Sequence, residues 1–166
     1  YRGTTIQSIA QRAEVSPESV YATFGTKRAL LSAVLDVSIV GDDEPVPLLA
    51  RSWVREMRDE PDFGRRIAIL ARNGAGILER VSPIYDVLRG AAAVEPEIAA
   101  LWEEYKSQRH AGQAELLTLV SAPQPYTAGL QAAQAADVLF SIGSPEVHRL
   151  LRVDRGWSAD QFERWY

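Results

Sequence analysis

Apolar residues recur along this chain at three- and four-residue spacing, and no stretch alternates long enough to make a strand. Ile98, Leu101, Trp102, Tyr105, Arg109, Gly112, Leu116 and Leu119 form the longest stripe, which predicts a helix of roughly 24 residues. Pro96 suits its first turn, where a missing N–H costs nothing. Phe63, Ile67, Leu70, Gly74, Ile77, Leu78 and Val81 mark another helix, which Ser82-Pro83 is expected to interrupt. Gly41–Pro47 (GDDEPVP) and Ser121–Tyr126 (SAPQPY) read as loops. Ser144-Pro145-Glu146 and Ser158-Ala159-Asp160-Gln161 read as helix starts with serine as N-cap. The alanine pairs at 132–133 and 135–136 fall inside a helix expected from about Thr127 to Ile142.

The first forty residues are punctuated more closely. Thr4-Thr5-Ile6-Gln7 has capping-box spacing, so a helix is predicted to run to about Ala13 with Ile6, Ile9, Ala10 and Ala13 inward. After a short break at Glu14-Val15-Ser16, Ser16 caps a second helix, Pro17 takes its first position, and Val20 and Phe24 point inward. Gly25-Thr26 ends it, and Thr26 caps a third helix carrying Leu30, Leu31, Val34 and Leu35. Two short helices joined by a tight turn make a helix-turn-helix, whose second helix reads base edges in the major groove. The fold class is therefore all-α, with a helix-turn-helix domain over 1–40 and a helical bundle over 41–166.

Composition narrows the chemistry. The 166 residues are 46% hydrophobic and 24% charged, a globular balance that excludes a disordered chain. With no cysteine, disulfides, thiol nucleophiles and thiolate metal sites are excluded. Two isolated histidines, His110 and His148, suit ordinary hydrogen-bonding roles better than a metal site or catalysis. Asp42-Asp43-Glu44 lacks the spacing and glycine of a calcium loop and reads as a solvated turn. No apolar run of about 18 residues or secretion signal is present, so a cytoplasmic setting is expected and no membrane partner. Net charge is −4 overall, yet residues 1–40 carry four basic and three acidic groups. A weakly basic head on an acidic body fits a site-specific reader better than a general polyanion binder.

The segment TTIQSIAQRAEVSPESVYATFGTKRALLSAVL resembles the DNA-binding segment of TetR-family transcriptional regulators. Thr4-Thr5, Ile9-Ala10, Ala13, Val15-Ser16, Val20-Tyr21, Phe24, Lys27 and Leu30-Leu31 carry the likeness. The tail ADVLFSIGSPEVHRLLRVDRGWSADQFERWY resembles the C-terminal helices of actinobacterial-type members. The resemblance implies roles residue by residue. Thr5 would contact the DNA backbone at a helix N-terminus; Pro17, Glu18, Ser19, Ala22 and Thr23 would form the exposed recognition face; Tyr21 and Lys27 would touch phosphates. A phenol and an ammonium suit phosphate oxygens without encoding sequence. Thr23 suits a thymine methyl and Glu18 a cytosine amine, although either equally faces solvent and Tyr21 equally covers the core.

Three features depart from the family pattern. Glu14 stands where glycine is frequent, and the recognition helix lacks Arg, Lys, Asn and Gln for bidentate readout. The family's first helix is missing from the chain, which begins at Tyr1 rather than Met, so a segment ahead of Tyr1 is expected. The pattern also stops in mid-course at Tyr166.

The resemblance further implies a small-molecule cavity between the body helices, coupled to the spacing of two DNA-binding heads. Trp53, Met57, Leu70, Asn73, Ile77, Tyr85, Leu88, Trp102, Tyr105, Arg109 and Phe140 are its candidate lining, or else plain core. Asn73 and Arg109 fall on or near apolar stripes and need partners if buried, either a ligand or an acid such as Glu103. The alanine-rich helix and the terminal Phe162, Trp165 and Tyr166 suit a four-helix dimer interface, or else finish the monomer's own core. The expectation is a ligand-responsive transcriptional repressor, neither an enzyme nor dependent on a cofactor. It binds a palindromic double-stranded DNA operator as a homodimer and is released by a largely apolar effector. The alternatives are an enzyme relying on carboxylates and a non-DNA-binding helical dimer that acts as a protein-interaction scaffold.

Overall fold

The computed structural model describes residues 1–122 and 129–166, and those residues contain helices and connecting turns with no strand. The expected loop over Ser121–Tyr126 and the start of the alanine-rich helix near Thr127 fall mostly outside them.

Three helices build the head. α1 (Ile6–Arg12) is capped by Thr5, whose hydroxyl accepts from Ser8 N while Ser8 Oγ accepts from Thr5 N. The box thus sits one residue later than Thr4 and Gln7 suggest. Serine reaches the free N–H as glutamine does, and Thr5 has the extended backbone of a cap. α2 (Pro17–Phe24) is capped by Ser16 with Pro17 at its first position, and α3 (Lys27–Val40) is capped by Thr26. Ile6, Ala10 and Val20 form a small core that Ile9, Phe24 and Leu30 cover. Ala13, expected inward, is exposed because α1 ends one residue before it. Burial of each of the larger side chains contributes about 1.5–3 kcal/mol, so a small number of side chains holds the head.

The body is a bundle around two long helices. α5 (Phe63–Ala92) packs along α6 (Pro96–Ser121), with α4 (Ser52–Asp59) beside them after a 3₁₀ turn at Leu48–Ala50. α7 (Ala132–Ile142) lies on α6, and α8 (Pro145–Arg149) and α9 (Ala159–Trp165) pack on α5. A π-helical turn, Leu150–Asp154, joins the last two. One core cluster (Leu35, Tyr85, Leu88, Ile98, Leu101, Tyr105) ties α3 to α5 and α6. Another (Val54, Met57, Leu70, Leu116, Val120) ties α4 to the same pair.

The interruption expected at Ser82-Pro83 does not occur. α5 is a single helix of 30 residues with Pro83 inside it. Pro83 faces solvent, while Val81, Ser82 and Tyr85 around it are buried. Tertiary packing on both sides offsets the roughly 3 kcal/mol that an interior proline costs.

Candidate nucleic-acid interface and interior cavity

Residues 13–16 form the turn that sets α2 across α1. Within it, Glu14 has φ of 56°, the left-handed region that glycine tolerates best. The departure from the family pattern at this position therefore falls on backbone that a glycine would hold without strain. Val15 N closes the turn onto Ala10 O at 3.0 Å.

The structure leaves Glu18, Ser19, Tyr21, Ala22 and Thr23 exposed on one outer face of α2, with Pro17 half-buried at its start. Tyr21 lies on this face rather than over the core, 48% exposed. Thr23 Oγ1 donates to Ser19 O at 2.9 Å, leaving its lone pairs and methyl outward, and Ser19 Oγ shares a hydrogen bond with Ser16 Oγ. Thr5 is exposed, its hydroxyl engaged in capping. Lys27 is drawn back: its ammonium lies over the Tyr1 ring, 3.7 Å from the centroid, and donates to the Tyr1 carbonyl. Arg2 pairs with Glu95, and Arg28 reaches Glu97 O and Glu104. Three of the head's four cations are thus engaged within the chain, and Arg12 makes no ion pair among the described residues. Such exposed pairs are weak and exchange easily for phosphate.

Beneath the head lies a partly open cavity of about 390 Å³, walled chiefly by one stripe from each long helix. Residues 70, 74, 77, 78, 81 and 85 of α5 face residues 105, 108, 109, 112, 113 and 116 of α6. Both sets follow the three-and-four spacing of a single helix face. Asp36, Ile39 and Val40 close one side, so α3 runs from the head directly into the cavity wall.

Of the candidate lining residues, Trp53, Leu70, Ile77, Tyr85, Tyr105 and Arg109 lie on this wall. The other five lie elsewhere, because neighbouring positions of a helix face different partners. Met57 is fully buried between α4 and the long helices, and Leu88 is fully buried one turn past the end of the α5 stripe. Trp102 meets Tyr85 edge-on at 5.2 Å. Phe140 lies under the Arg109 guanidinium, 3.7 Å from its ring centroid. Asn73 donates to Ile69 O within its own helix and faces an adjoining, more polar hollow with Arg72 and Arg80, which shares Ile39, Val40, Leu48, Trp53 and Ile77 with the cavity. The suggested Glu103 partner for Arg109 is corrected as well. Glu103 pairs with Lys106, while Arg109 Nη1 donates to Phe140 O at 2.8 Å and Gly143 O at 3.0 Å. Lys106 is three residues from the exposed Glu103, whereas Arg109 points inward, away from that face.

Sequence reasoning missed several wall residues. Gln108 and Gln113 continue the α6 stripe and were legible from spacing, but their polarity hid them. Tyr166 had no such signal. It reaches the cavity from the end of α9 because Gly74 and Gly143 leave it room; a Cβ would come within 2.6 Å of its ring at Gly74 and 2.7 Å of its hydroxyl at Gly143. Burial pushes the Tyr166 phenol up to about 12 and also raises that of Tyr85. Burial lowers the Arg109 pKa.

Comparison with known proteins agrees with this arrangement. Residues 1–34 match the family described as bacterial regulatory proteins, tetR family. That match lies within the helix-turn-helix head. Its fold is shared with a crystal structure from Rhodococcus sp. assigned to the TetR-family transcriptional regulators, at a TM-score of 0.69 and 18% identity. The likeness covers 99% of this chain and 84% of that one. None of the curated proteins matches the chain. Among the described residues, no helix is long and apolar enough to cross a membrane, and no His, Cys, Asp or Glu cluster could hold a metal ion.

Proposed function

We propose that this TetR-type chain is a ligand-responsive, cytoplasmic transcriptional repressor that binds a palindromic operator as a homodimer and leaves it when a small molecule fills the body cavity. The observation that carries this reading is the course of α3. Its first turns pack under α2, and its last turns supply Asp36, Ile39 and Val40 to the cavity wall. A ligand that displaces the wall therefore displaces the head. In a two-fold dimer, such a shift alters the spacing of two recognition helices that must enter successive major grooves. The ligand acts only in so far as it binds the released state better than the DNA-bound one. No chemistry on it is required.

On the DNA side, Glu18, Ser19, Ala22 and Thr23 present hydroxyl, methyl and carboxylate groups to base edges, while Thr5, Tyr21 and Lys27 position the head on phosphates. The test is selection of the full-length protein on random DNA pools, with Tyr21→Ala/Lys27→Ala alongside. A palindromic site, with affinity and salt slope both reduced in the variant, is expected; the slope should fall by about one for each phosphate no longer neutralised. Sequence-blind binding with a steep salt slope would leave phosphate attraction alone. An absence of binding would put the protein-interaction scaffold ahead.

A further inference from the structure

Apart from Gln108 and from Asp36 and Tyr105, hydrogen-bonded to each other at 2.6 Å, the cavity wall is apolar except at one end. There Arg109 and Gln113, one turn apart on α6, meet the C-terminal end of α7. Gly143 O accepts from both Arg109 Nη1 and Gln113 Nε2, each at 3.0 Å. That carbonyl fixes the amide orientation, since a flipped Gln113 would set oxygen against oxygen. Two buried atoms then remain without a hydrogen-bond partner among the described residues: Arg109 Nε and Gln113 Oε1. A native interior rarely leaves such atoms unpaired, and each one calls for an explanation.

Charge points the same way. Among the described residues, Arg109 has no carboxylate within ion-pair distance; its partners are the carbonyls at the end of α7 and the face of Phe140. Helix-end carbonyls offset only part of a full charge. The groups within electrostatic reach of the guanidinium are the neutral phenols of Tyr85 and Tyr166, both on the cavity wall, and the Glu146 carboxylate of α8, which makes no ion pair with it. The phenol hydroxyls both donate and accept, so what sets this end apart is the Arg109 charge and its buried, unpartnered Nε–H. The Tyr166 hydroxyl lies beside the Gln113 amide, since both approach the same point above Gly143 at 2.7 and 2.8 Å. A small turn of the phenol lets it donate to Oε1 and leaves the Arg109 N–H for a ligand.

Resting on the regulator reading above, we infer that the ligand of this cavity is an apolar monocarboxylate. Its carboxylate sits at the Arg109 end and accepts from Arg109 Nε–H, and its body packs on Leu70, Ile77, Val81 and Leu116. A neutral carboxamide, donating to Gln113 Oε1 and accepting from Arg109 Nε–H, would satisfy both unpartnered atoms without answering the charge, so it is the competitor that the experiment must exclude.

Calorimetric titration of the full chain with 4-phenylbutyrate, 4-phenylbutanamide and 4-phenylbutan-1-ol makes the comparison on one apolar body. The carboxylate is expected to bind about tenfold or more tighter than either neutral analogue, as charge-assisted hydrogen bonds exceed neutral ones. Arg109→Met should abolish that preference while keeping alcohol binding, and Tyr166→Phe should weaken the carboxylate alone. The ranking on the unaltered chain stands even if Arg109→Met does not fold. An amide that binds as tightly as the acid, or a failure of all three to bind, overturns the inference. Operator release separates the two readings. Release by the alcohol but not the acid sinks the carboxylate and keeps the regulator; Arg109-dependent acid binding without release does the reverse.

Discussion

Glu14 shows how a single residue carries the geometry of the head. Its φ of 56° places an L side chain in left-handed backbone, which costs roughly 1–2 kcal/mol, part of which a glycine would return as unfolded-state entropy. Glu14→Gly should therefore stabilise the chain by roughly 0.5–1 kcal/mol, a rise readable by thermal or urea unfolding. An unchanged or lowered midpoint would mean that the carboxylate contributes something the backbone argument omits. The family likeness flagged this position from sequence, but the strain itself belongs to the angle that α2 makes with α1. The same holds for Lys27, whose chemistry is legible from sequence while its retreat onto Tyr1 is not.

At the scale of elements, α5 is held where its proline weakens it. Ser82 Oγ lies 2.6 Å from Leu78 O and 2.9 Å from His148 Nδ1, and His148 Nε2 lies 2.8 Å from Glu79 Oε2. Arg152 adds two hydrogen bonds to the same carboxylate, so α8 and the turn after it are clamped to α5 at the residues just before Pro83. The carboxylate keeps a proton on Nε2, and a neutral ring then draws the Ser82 proton to Nδ1. Protonating the ring makes Nδ1 a donor and returns that proton to Leu78 O. Burial depresses the His148 pKa against the opposing pull of Glu79, and Arg152, followed by His148, lowers that of Glu79. A histidine that resists protonation when folded binds fewer protons than the unfolded chain. Stability is then full above the ordinary value of about 6.5 and falls as pH drops below it. The Glu79 contribution is lost only below about 4.3, the ordinary glutamate value. Unfolding midpoints should accordingly fall between pH 7.5 and 5.5, and His148→Gln should flatten that slope. A variant with the wild-type slope would remove His148 as its cause. None of this was legible along the chain, where His148 stands 66 residues from Ser82.

At the scale of the molecule, α9 divides its aromatic residues. Phe162 is buried and Tyr166 enters the cavity wall, so these two finish the chain's own core, whereas Trp165 stays 45% exposed. Val138 on α7 and Leu150 and Val153 in the π-helical turn are also half-exposed or more. Those apolar side chains are where the proposed dimer would meet. An isologous interface places a patch against its own copy, so Val138→Glu should set like charges against each other across the axis. Sedimentation of the full-length protein is expected to show a dimer for the wild type and a weakening of about 100-fold or more for the variant. Operator binding should be lost with it, while the helical content is kept. A variant that remains dimeric would place the interface elsewhere.

Spacing along the chain was enough to define an all-helical fold, the caps at Ser16, Thr26, Ser144 and Ser158, the paired head helices and the long α6, because caps and apolar periodicity are local and repeat within a turn or two. What needed the tertiary structure was nonlocal. Packing carries α5 through Pro83, and helix rotation turns Asn73 away from the cavity that its neighbours line. The end of α7, not an acid on α6, partners Arg109, and α9 brings Tyr166 to the same end of the cavity. Each of these depends on which faces meet across tens of residues of intervening chain, a choice that burial of the whole core makes at once.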